Sequence, residues 1–201
     1  AVHETKLDSK VPENTSIIVP AKALAELNRM IVNQDEPIQI KVNEGKTQVL
    51  FSLEDSEIVS QLIQGTFPNY SQLVPKEYVT KATVDISEFA RATRAASIFA
   101  KNGSGIVRLQ MASTESDGTG NLSVSARSEE VGDDMGDIDA NVEGEPAKIA
   151  FNSKYLTDVL GVLGQGTVSL ETSSPSSPGV LKPTKSADGT SYLHVVMPMF
   201  V

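Results

Sequence analysis

A repeated pattern, one amphipathic helix followed by short strands, is the feature that most constrains the fold of this chain. The clearest helix is predicted over residues 85–101, because Asp85 and Glu88 have the spacing of a capping box and Gly103 follows the last turn. At 100° per residue one stripe is apolar and consists of Phe89, Ala92, Ala96 and Phe99. The opposite face is basic and carries Arg91, Arg94 and Lys101.

Two further segments have the same polarity. In residues 21–31 the apolar stripe is Leu24, Leu27 and Ile31, with Lys22 and Arg29 opposite. In residues 153–163 it is Leu156, Val159, Leu160 and Leu163, with Lys154 opposite. Leu24, Phe89 and Leu156 hold equivalent places, 65 and then 67 residues apart. This spacing indicates one structural unit used three times.

Each helix begins a β-α-β-β-β unit, which predicts an α+β fold with antiparallel sheets. The first unit has predicted strands at 17–19, 37–42, 47–53 and 57–63. The second has them at 83–86, 106–111, 122–126 and 138–142, and the third at 148–151, 168–171, 180–182 and 192–197. Residues 1–7 alternate like the end of a strand, and residues 9–15 read as a loop.

The chain divides at a proline-containing segment, residues 65–78. One unit cannot bury both its helix and its sheet face, so units two and three should pair into one domain, residues 76–201. Residues 1–75 would then be half of another domain, whose other half we expect before Ala1. We therefore expect this chain to be the C-terminal part of a longer protein.

Composition argues against most catalytic sites. The chain has no cysteine, which suits a cytoplasmic protein, and no apolar run near the ~20 residues of a membrane span. His3 and His194 lie near opposite ends, so neither a histidine triad nor a zinc site is expected. The acidic segment 133–139 lacks the order of a calcium loop and reads as a solvated turn. The segment 161–166 lacks the glycine order of a dinucleotide loop and should end a helix.

Charge is distributed unevenly along the chain. The net charge is −9, yet the three helical windows (21–31, 87–101 and 153–163) hold six basic and three acidic residues. Solvated helix faces explain such charges on any single helix. The same polarity three times favours a surface that faces a polyanion.

Four stretches of this chain resemble the bacterial sliding clamp, the β subunit of DNA polymerase III. They are YLHVVMPMFV at the C-terminus, SIIVPAKALAEL (16–27), GTFPNYSQLVP (65–75) and FNSKYLTDVL (151–160). The resemblance implies a DNA-clamp fold in which two protomers form a ring, with helices facing the hole and sheets outside. Residues 1–75 would be the second half of the middle domain and residues 76–201 the whole third domain.

The resemblance implies a processivity factor without catalytic residues, cofactor or metal. Duplex DNA would be contacted without sequence preference by Lys22, Arg29, Arg91, Arg94, Lys101 and Lys154, on one concave surface. Polymerase, repair-factor and clamp-loader subunits would insert short linear peptides into a hydrophobic pocket formed by Pro68, Gln72, Leu73, Val195, Val196, Met197, Pro198 and Met199. Gln72 replaces an Arg common in the family, and Phe200-Val201 replaces a common Arg-Leu ending.

The dimer contact of the ring is assigned to Ile98 and Phe99. On the helical wheel Ile98 lies on the same side as Arg91 and Arg94, where an apolar residue is unexpected. In the family an apolar pair at this place joins the third domain to the first domain of the other protomer. We expect Ile98 and Phe99 to form an apolar patch beside an unpaired strand near 106–111.

Two rival functional classes remain. A metal-dependent nuclease would need carboxylates in a cleft, for example among Asp133, Asp134, Asp137 and Asp139. A non-catalytic, β-rich ligand- or protein-binding module is the alternative to a clamp.

Overall fold

The computed structural model describes residues 1–7, 15–113 and 119–200 of the chain. Within these ranges it contains three α-helices, which are α1 (Ala21–Met30), α2 (Ile86–Lys101) and α3 (Ser153–Leu163). It also contains twelve strands: β1 (Val2–Thr5), β2 (Gln39–Val42), β3 (Gln48–Ser52), β4 (Glu57–Gln61), β5 (Thr80–Asp85), β6 (Ile106–Ser113), β7 (Thr119–Ser128), β8 (Gly132–Gly144), β9 (Ala147–Asn152), β10 (Thr167–Thr172), β11 (Gly179–Pro183) and β12 (Thr190–Val196). The loop predicted at 9–15 lies outside the described residues up to position 14.

The chain forms two compact units. The large unit comprises Ala1–Leu7 and Tyr70–Val201, and the small unit comprises Asp8–Asn69. The first seven residues thus belong to the large unit, because β1 pairs with β12 in antiparallel register, with Val2 opposite Leu193.

The large unit has one antiparallel sheet, with α2 and α3 packed against each other over it. Among the described residues its strand order is β1-β12-β11-β10-β5-β8-β7-β6-β9. The sheet folds back on itself, since a Cβ added at Gly179 on β11 would lie 2.4 Å from the Phe151 ring on β9. The two ends of the strand order therefore face each other across the core.

Helix α2 is anchored by its buried stripe. Asp85 is the N-cap, and its carboxylate accepts from the backbone N–H groups of Ser87 and Glu88. The buried side chains recur every three or four residues and are Ile86, Phe89, Thr93, Ala96 and Ala100. Of the predicted stripe, Phe89 and Ala96 are fully buried, whereas Ala92 and Phe99 are partly buried at its margins.

Helix α3 follows its prediction closely. Leu156, Val159 and Leu160 are buried, and Leu163 packs at the margin of the same core. Gly164 ends the helix with a positive φ of 75°, a conformation that glycine adopts without strain. The segment 161–166 therefore closes a helix, as predicted.

In the small unit α1 packs against the antiparallel sheet β2-β3-β4. The buried core is small and consists of Leu27, Val49, Phe51 and Leu62. Two predictions are wrong here. Leu24 is 44% exposed. The sheet beside α1 has three short strands, and Leu27 is the residue of this helix that is buried. Residues 17–19 do not form a strand, although Ile17 and Val19 pack against the core.

Strands β6 and β8 also differ from their predictions. The acidic segment 133–139 is not a turn, because it lies within the 13-residue strand β8. Strand β6 is not an unpaired edge, because β7 flanks it on one side and β9 on the other. Besides the terminal strands β1 and β9, strand β8 has an open edge among the described strands. Strand β5 covers only its residues 141–144, so residues 132–140 pair with β7 alone among the described strands.

Candidate functional site

The outward face of α2 carries a regular basic stripe. Five exposed residues recur at spacings of four and three along this face, and they are Ser87, Arg91, Arg94, Ile98 and Lys101. Ala95 is exposed beside them. Arg91 makes a long ion pair with Glu88 at 3.8 Å. Within the described ranges no ion pair engages Arg94 or Lys101. These two charges are therefore available to an anion outside the protein.

The outward face of α3 is less basic than the sequence suggested. Lys154 Nζ lies 2.7 Å from Asp158, and this hydrogen bond raises the pKa of the lysine. The same face exposes Tyr155 and Val162, at 60% and 72%. The helix pattern missed these two residues, because an apolar side chain opposite a core stripe carries no periodic signal of its own. The net charge contributed by the pair of Lys154 and Asp158 is zero.

In the small unit, α1 presents both of its predicted cations to solvent. Lys22 and Arg29 are exposed, and Arg29 pairs with Glu26 at 2.7 Å. Since exposed pairs of this kind break readily, both cations can turn to another anion.

The C-terminal tail crosses from one end of the strand order to the other. After Val196, the last residue of β12, the backbone N–H of Met199 donates to the carbonyl of Ala150 on β9 at 2.8 Å. Val196 is 3% exposed in the core, whereas Met197 and Met199 are 57% and 38% exposed. The tail therefore presents its methionines outward and buries Val196 beneath them.

The segment that follows Leu73 lies close to strand β11. Pro75 and Tyr78 line a small cavity with Val180 of β11, and Val180 is in register with Val195 on β12. Gln72 and Leu73 are exposed, Leu73 at 55%. Pro68 belongs to the small unit, and its place in the pocket stays a prediction.

The end of α2 lies beside the open edge of β8. Ser128, the last residue of β7, donates through its hydroxyl to the carbonyl of Asn102 at 3.0 Å, and a Cβ at Gly136 on β8 would meet Ala92 of α2 at 3.8 Å. Ile98 is 59% exposed on this helix, and Phe99 packs partly into the core. The strand prediction missed this edge. The side chains at 133, 135, 137 and 139 do alternate outward as in a strand, but their acidity masked the pattern.

Within the described part of the chain, no group of three or more His, Asp or Glu side chains could hold a metal ion. Over the same residues, none of the helices has the length and apolar content that crossing a membrane would require.

Two family models account for nearly all of the chain. The model for the DNA polymerase III beta subunit, C-terminal domain, matches residues 71–200. The model for the central domain of the same subunit matches residues 1–69. The chain belongs to this family.

Curated beta sliding clamps are similar over most of this chain. The protein of Staphylococcus aureus (strain Mu50) is 36% identical over 185 residues, which cover 91% of this chain and 47% of the relative. That of Staphylococcus epidermidis is 32% identical over 203 residues, covering 99% and 50%. The chain thus spans about half the length of the sliding clamps that it matches.

Solved sliding clamps have the same fold. The structure from Bacillus subtilis gives a TM-score of 0.85 at 27% identity and covers 98% of this chain and 50% of its own. The Pseudomonas aeruginosa sliding clamp with ligand gives 0.81 at 26% identity, covering 98% and 51%. The predicted DNA-clamp fold of the α+β class is confirmed.

Proposed function

We propose that this chain is part of a ring-shaped processivity clamp that encircles duplex DNA and tethers a polymerase. The observation that carries the proposal is the outward stripe of α2, where Arg94 and Lys101 have no ion pair among the described residues of an acidic chain. Membership of the sliding-clamp family supports duplex DNA as the ligand of this stripe. The part that the chain plays is binding and tethering, without catalysis.

The chemistry of the stripe suits sliding better than sequence reading. Arginine and lysine on an exposed helix attract phosphates whatever the base sequence. The attraction is moderated, because three of the six assigned cations already pair with a carboxylate on their own helix. A closed ring stays on DNA by topology, so weak and evenly spread contacts are sufficient.

The tether is a hydrophobic pocket that takes short linear peptides of polymerase, repair-factor and clamp-loader subunits. In the large unit it would use Leu73, Val195 and the exposed methionines of the tail, with Pro198 between them. Methionine side chains adapt to apolar partners of different shape, which suits a site with several ligands. Val196 would support the pocket from below, since it is buried.

The ring would close by pairing of the open edge of β8 with a strand of a second protomer. Nine residues of this edge, 132–140, lack a partner on one side within the described chain. Ile98 lies on the helix that packs over this strand, so it can add an apolar contact to the backbone hydrogen bonds. The contact is heterologous, which allows two protomers to close a ring.

The test is retention of the full-length protein on nicked circular DNA after loading. We expect the double variant Arg91→Glu/Arg94→Glu to dissociate faster at low salt, with a difference that shrinks as salt rises. The control is Lys41→Glu/Lys185→Glu, which makes the same charge change at exposed lysines outside the helices. Equal retention of the two double variants would contradict the assignment of α2 to DNA.

A further inference from the structure

The outer face of the large unit's sheet contains an open cavity that the family assignments leave unused. Its volume is about 650 Å³, within the range of ligand sites. It extends over β8, β7, β6 and β9, on the side of the sheet away from α2, and ends at the tail. We call this cavity the outer trough. Its floor consists of the exposed side chains Arg108, Gln110, Met135 and Lys148 and of the half-buried Ser123 and Ser125.

Strand register places these side chains in two rows. In one row Arg108 is opposite Ser125, and Ser125 is opposite Met135. In the other row Lys148 is opposite Gln110, which is opposite Ser123. The cations therefore lie on β6 and β9, at the end nearest the tail. The middle is polar but uncharged, and Met135 lies at the far end.

Large apolar groups flank the trough at both ends. Met135 is 72% exposed, and at the tail end Phe200 is 84% exposed, with Met199 and Pro175 beside it. Phe200 is the most exposed large apolar side chain of the described residues. Exposed apolar side chains that converge on one cavity indicate a binding surface, whereas isolated ones do not.

The two cations of the trough have no intramolecular partner in the described chain. No ion pair or side-chain hydrogen bond engages Arg108 or Lys148 there. Arg108 also borders a second cavity with Glu129 and Glu130, but no carboxylate of the described residues lies within ion-pair distance of its guanidinium. The nearest acid in the rows is Asp137 on β8, which accepts hydrogen bonds from Ser123 and Asn121. The tail end of the trough is thus a basic spot on an acidic chain.

We propose that the outer trough binds an extended segment of a partner protein, in which carboxylate side chains follow bulky apolar ones. The carboxylates pair with Arg108 and Lys148 at the tail end, and the apolar side chains pack on Met135 at the far end. Serine and glutamine on the floor supply hydrogen bonds to the peptide backbone between these ends. Charge complementarity favours this occupant, since Arg108 and Lys148 are cations without an ion pair among the described residues of a chain whose net charge is −9.

The outer trough is separate from the pocket assigned to the tail. The two share only Met199, and the cations and Met135 belong to the trough alone. A single partner could fill both, with one peptide anchor in the tail pocket and its acidic flank in the trough. The proposal does not depend on DNA encirclement, so its failure would leave the test of α2 unaffected.

The experiment measures binding of a fluorescein-labelled, nine-residue probe to the full-length protein by fluorescence polarisation. The probe has Leu and Phe at one end, Asp and Glu at the other, and Gly and Ser between. A matched peptide replaces Asp and Glu by Asn and Gln. We expect saturable binding of the acidic probe that weakens with salt, and weaker binding of the matched peptide.

Variants locate the site. Arg108→Gln/Lys148→Gln should weaken binding of the acidic probe roughly three- to tenfold, as expected for two exposed charge contacts. Met135→Ala should weaken both peptides, and Lys185→Gln, an exposed lysine elsewhere, should weaken neither. All of these side chains are exposed, so thermal melting should be unchanged in each variant.

Three results would overturn the proposal. One is the absence of saturable binding up to about 1 mM, the weak end of specific affinity. Another is equal affinity for both peptides. The third is loss of binding with Met197→Ala but not with the trough variants, which would place the probe in the tail pocket.

Discussion

Val196 and Met197 are neighbours at the end of β12 but face opposite sides. Val196 is 3% exposed and Met197 is 57% exposed. We therefore expect Met197→Ala to weaken binding of a clamp-binding peptide by about 1–2 kcal/mol, the range for a pocket anchor. Its free energy of unfolding should stay unchanged. Isothermal titration and urea unfolding of the full-length protein measure the two quantities.

The adjacent substitution serves as the control. Val196→Ala should lower the free energy of unfolding by about 2 kcal/mol, because it removes two buried methyl groups and leaves a cavity. Wild-type peptide affinity in Met197→Ala would remove that residue from the pocket. Wild-type stability in Val196→Ala would contradict its place in the core.

His194 makes stability depend on pH in the mildly acidic range. Burial lowers its pKa below the ordinary value of 6.5, and its Nδ1 is hydrogen-bonded to the Tyr192 hydroxyl at 3.0 Å. The unfolded chain therefore takes up the proton first as pH falls. The stability that neutral His194 contributes is fully present above pH 6.5, the pKa of the unfolded chain's histidine. It is lost as pH falls through the lower pKa that His194 has in the folded chain.

The measurement is the free energy of unfolding at about pH 7.5 and about pH 5, on either side of the histidine range. The drop between them should be smaller in His194→Gln, which cannot titrate. A drop in His194→Gln equal to that of the wild type would exclude His194 as a source.

At the scale of single residues, the sequence predicted the outward placement of charged side chains better than the burial of apolar ones. The positions of Arg91, Arg94 and Lys101 opposite Phe89 follow from helix geometry alone, and all three are exposed. The exposure of Leu24 could not be predicted, because it depends on how large a sheet lies beneath α1. The same limit applies to Arg108 and Lys148, which come together only through strand pairing.

Two glycines show how the elements of the large unit constrain the backbone. Gly144 ends β8 at a φ of 89°, and a Cβ there would lie 1.9 Å from the Val79 carbonyl oxygen. Gly161 lies on the exposed face of α3 with no atom within 4 Å of an added Cβ. Gly144→Ala should destabilise the fold by at least about 2 kcal/mol, through strain and backbone displacement. Gly161→Ala should stabilise it by up to about 1 kcal/mol.

Thermal and urea unfolding of both variants tests this pair. Destabilisation by Gly161→Ala would mean that α3 contacts something on its outward face. A neutral Gly144→Ala would contradict the close approach of β8 to residue 79.

Helices and strands were predictable to different extents. The three helices follow from periodic apolar stripes and from caps such as Asp85 and Asn152. The length of β8 could not be predicted from the sequence, because aspartate is uncommon in strands and β8 contains Asp133, Asp137 and Asp139. Its partner β7 supplies the backbone hydrogen bonds that hold them extended, and this is information about tertiary structure.

For the whole molecule, the open edge of β8 and Ile98 together predict the oligomeric state. The full-length protein should sediment as a dimer. The double variant Ile98→Ala/Phe99→Ala should be monomeric, because it removes the apolar part of the contact. Phe99 also packs against the core, so Ile98→Ala alone is the control that leaves the fold intact and should weaken the dimer. An intact dimer in the double variant would defeat the assignment.

The acidity of β8 also decides what this strand cannot do. An open edge is a template for uncontrolled aggregation with further copies of itself. If two β8 edges met antiparallel around Gly136, Asp133 of each would lie opposite Asp139 of the other. A shift of this register in one direction would place Asp133 of one copy opposite Asp137 of the other. A shift in the other direction would place the two Asp137 side chains opposite each other. Repulsion between these carboxylates keeps identical β8 edges apart until acid or high salt removes the repulsion. Fibre formation through β8 should therefore begin under acidic or high-salt conditions.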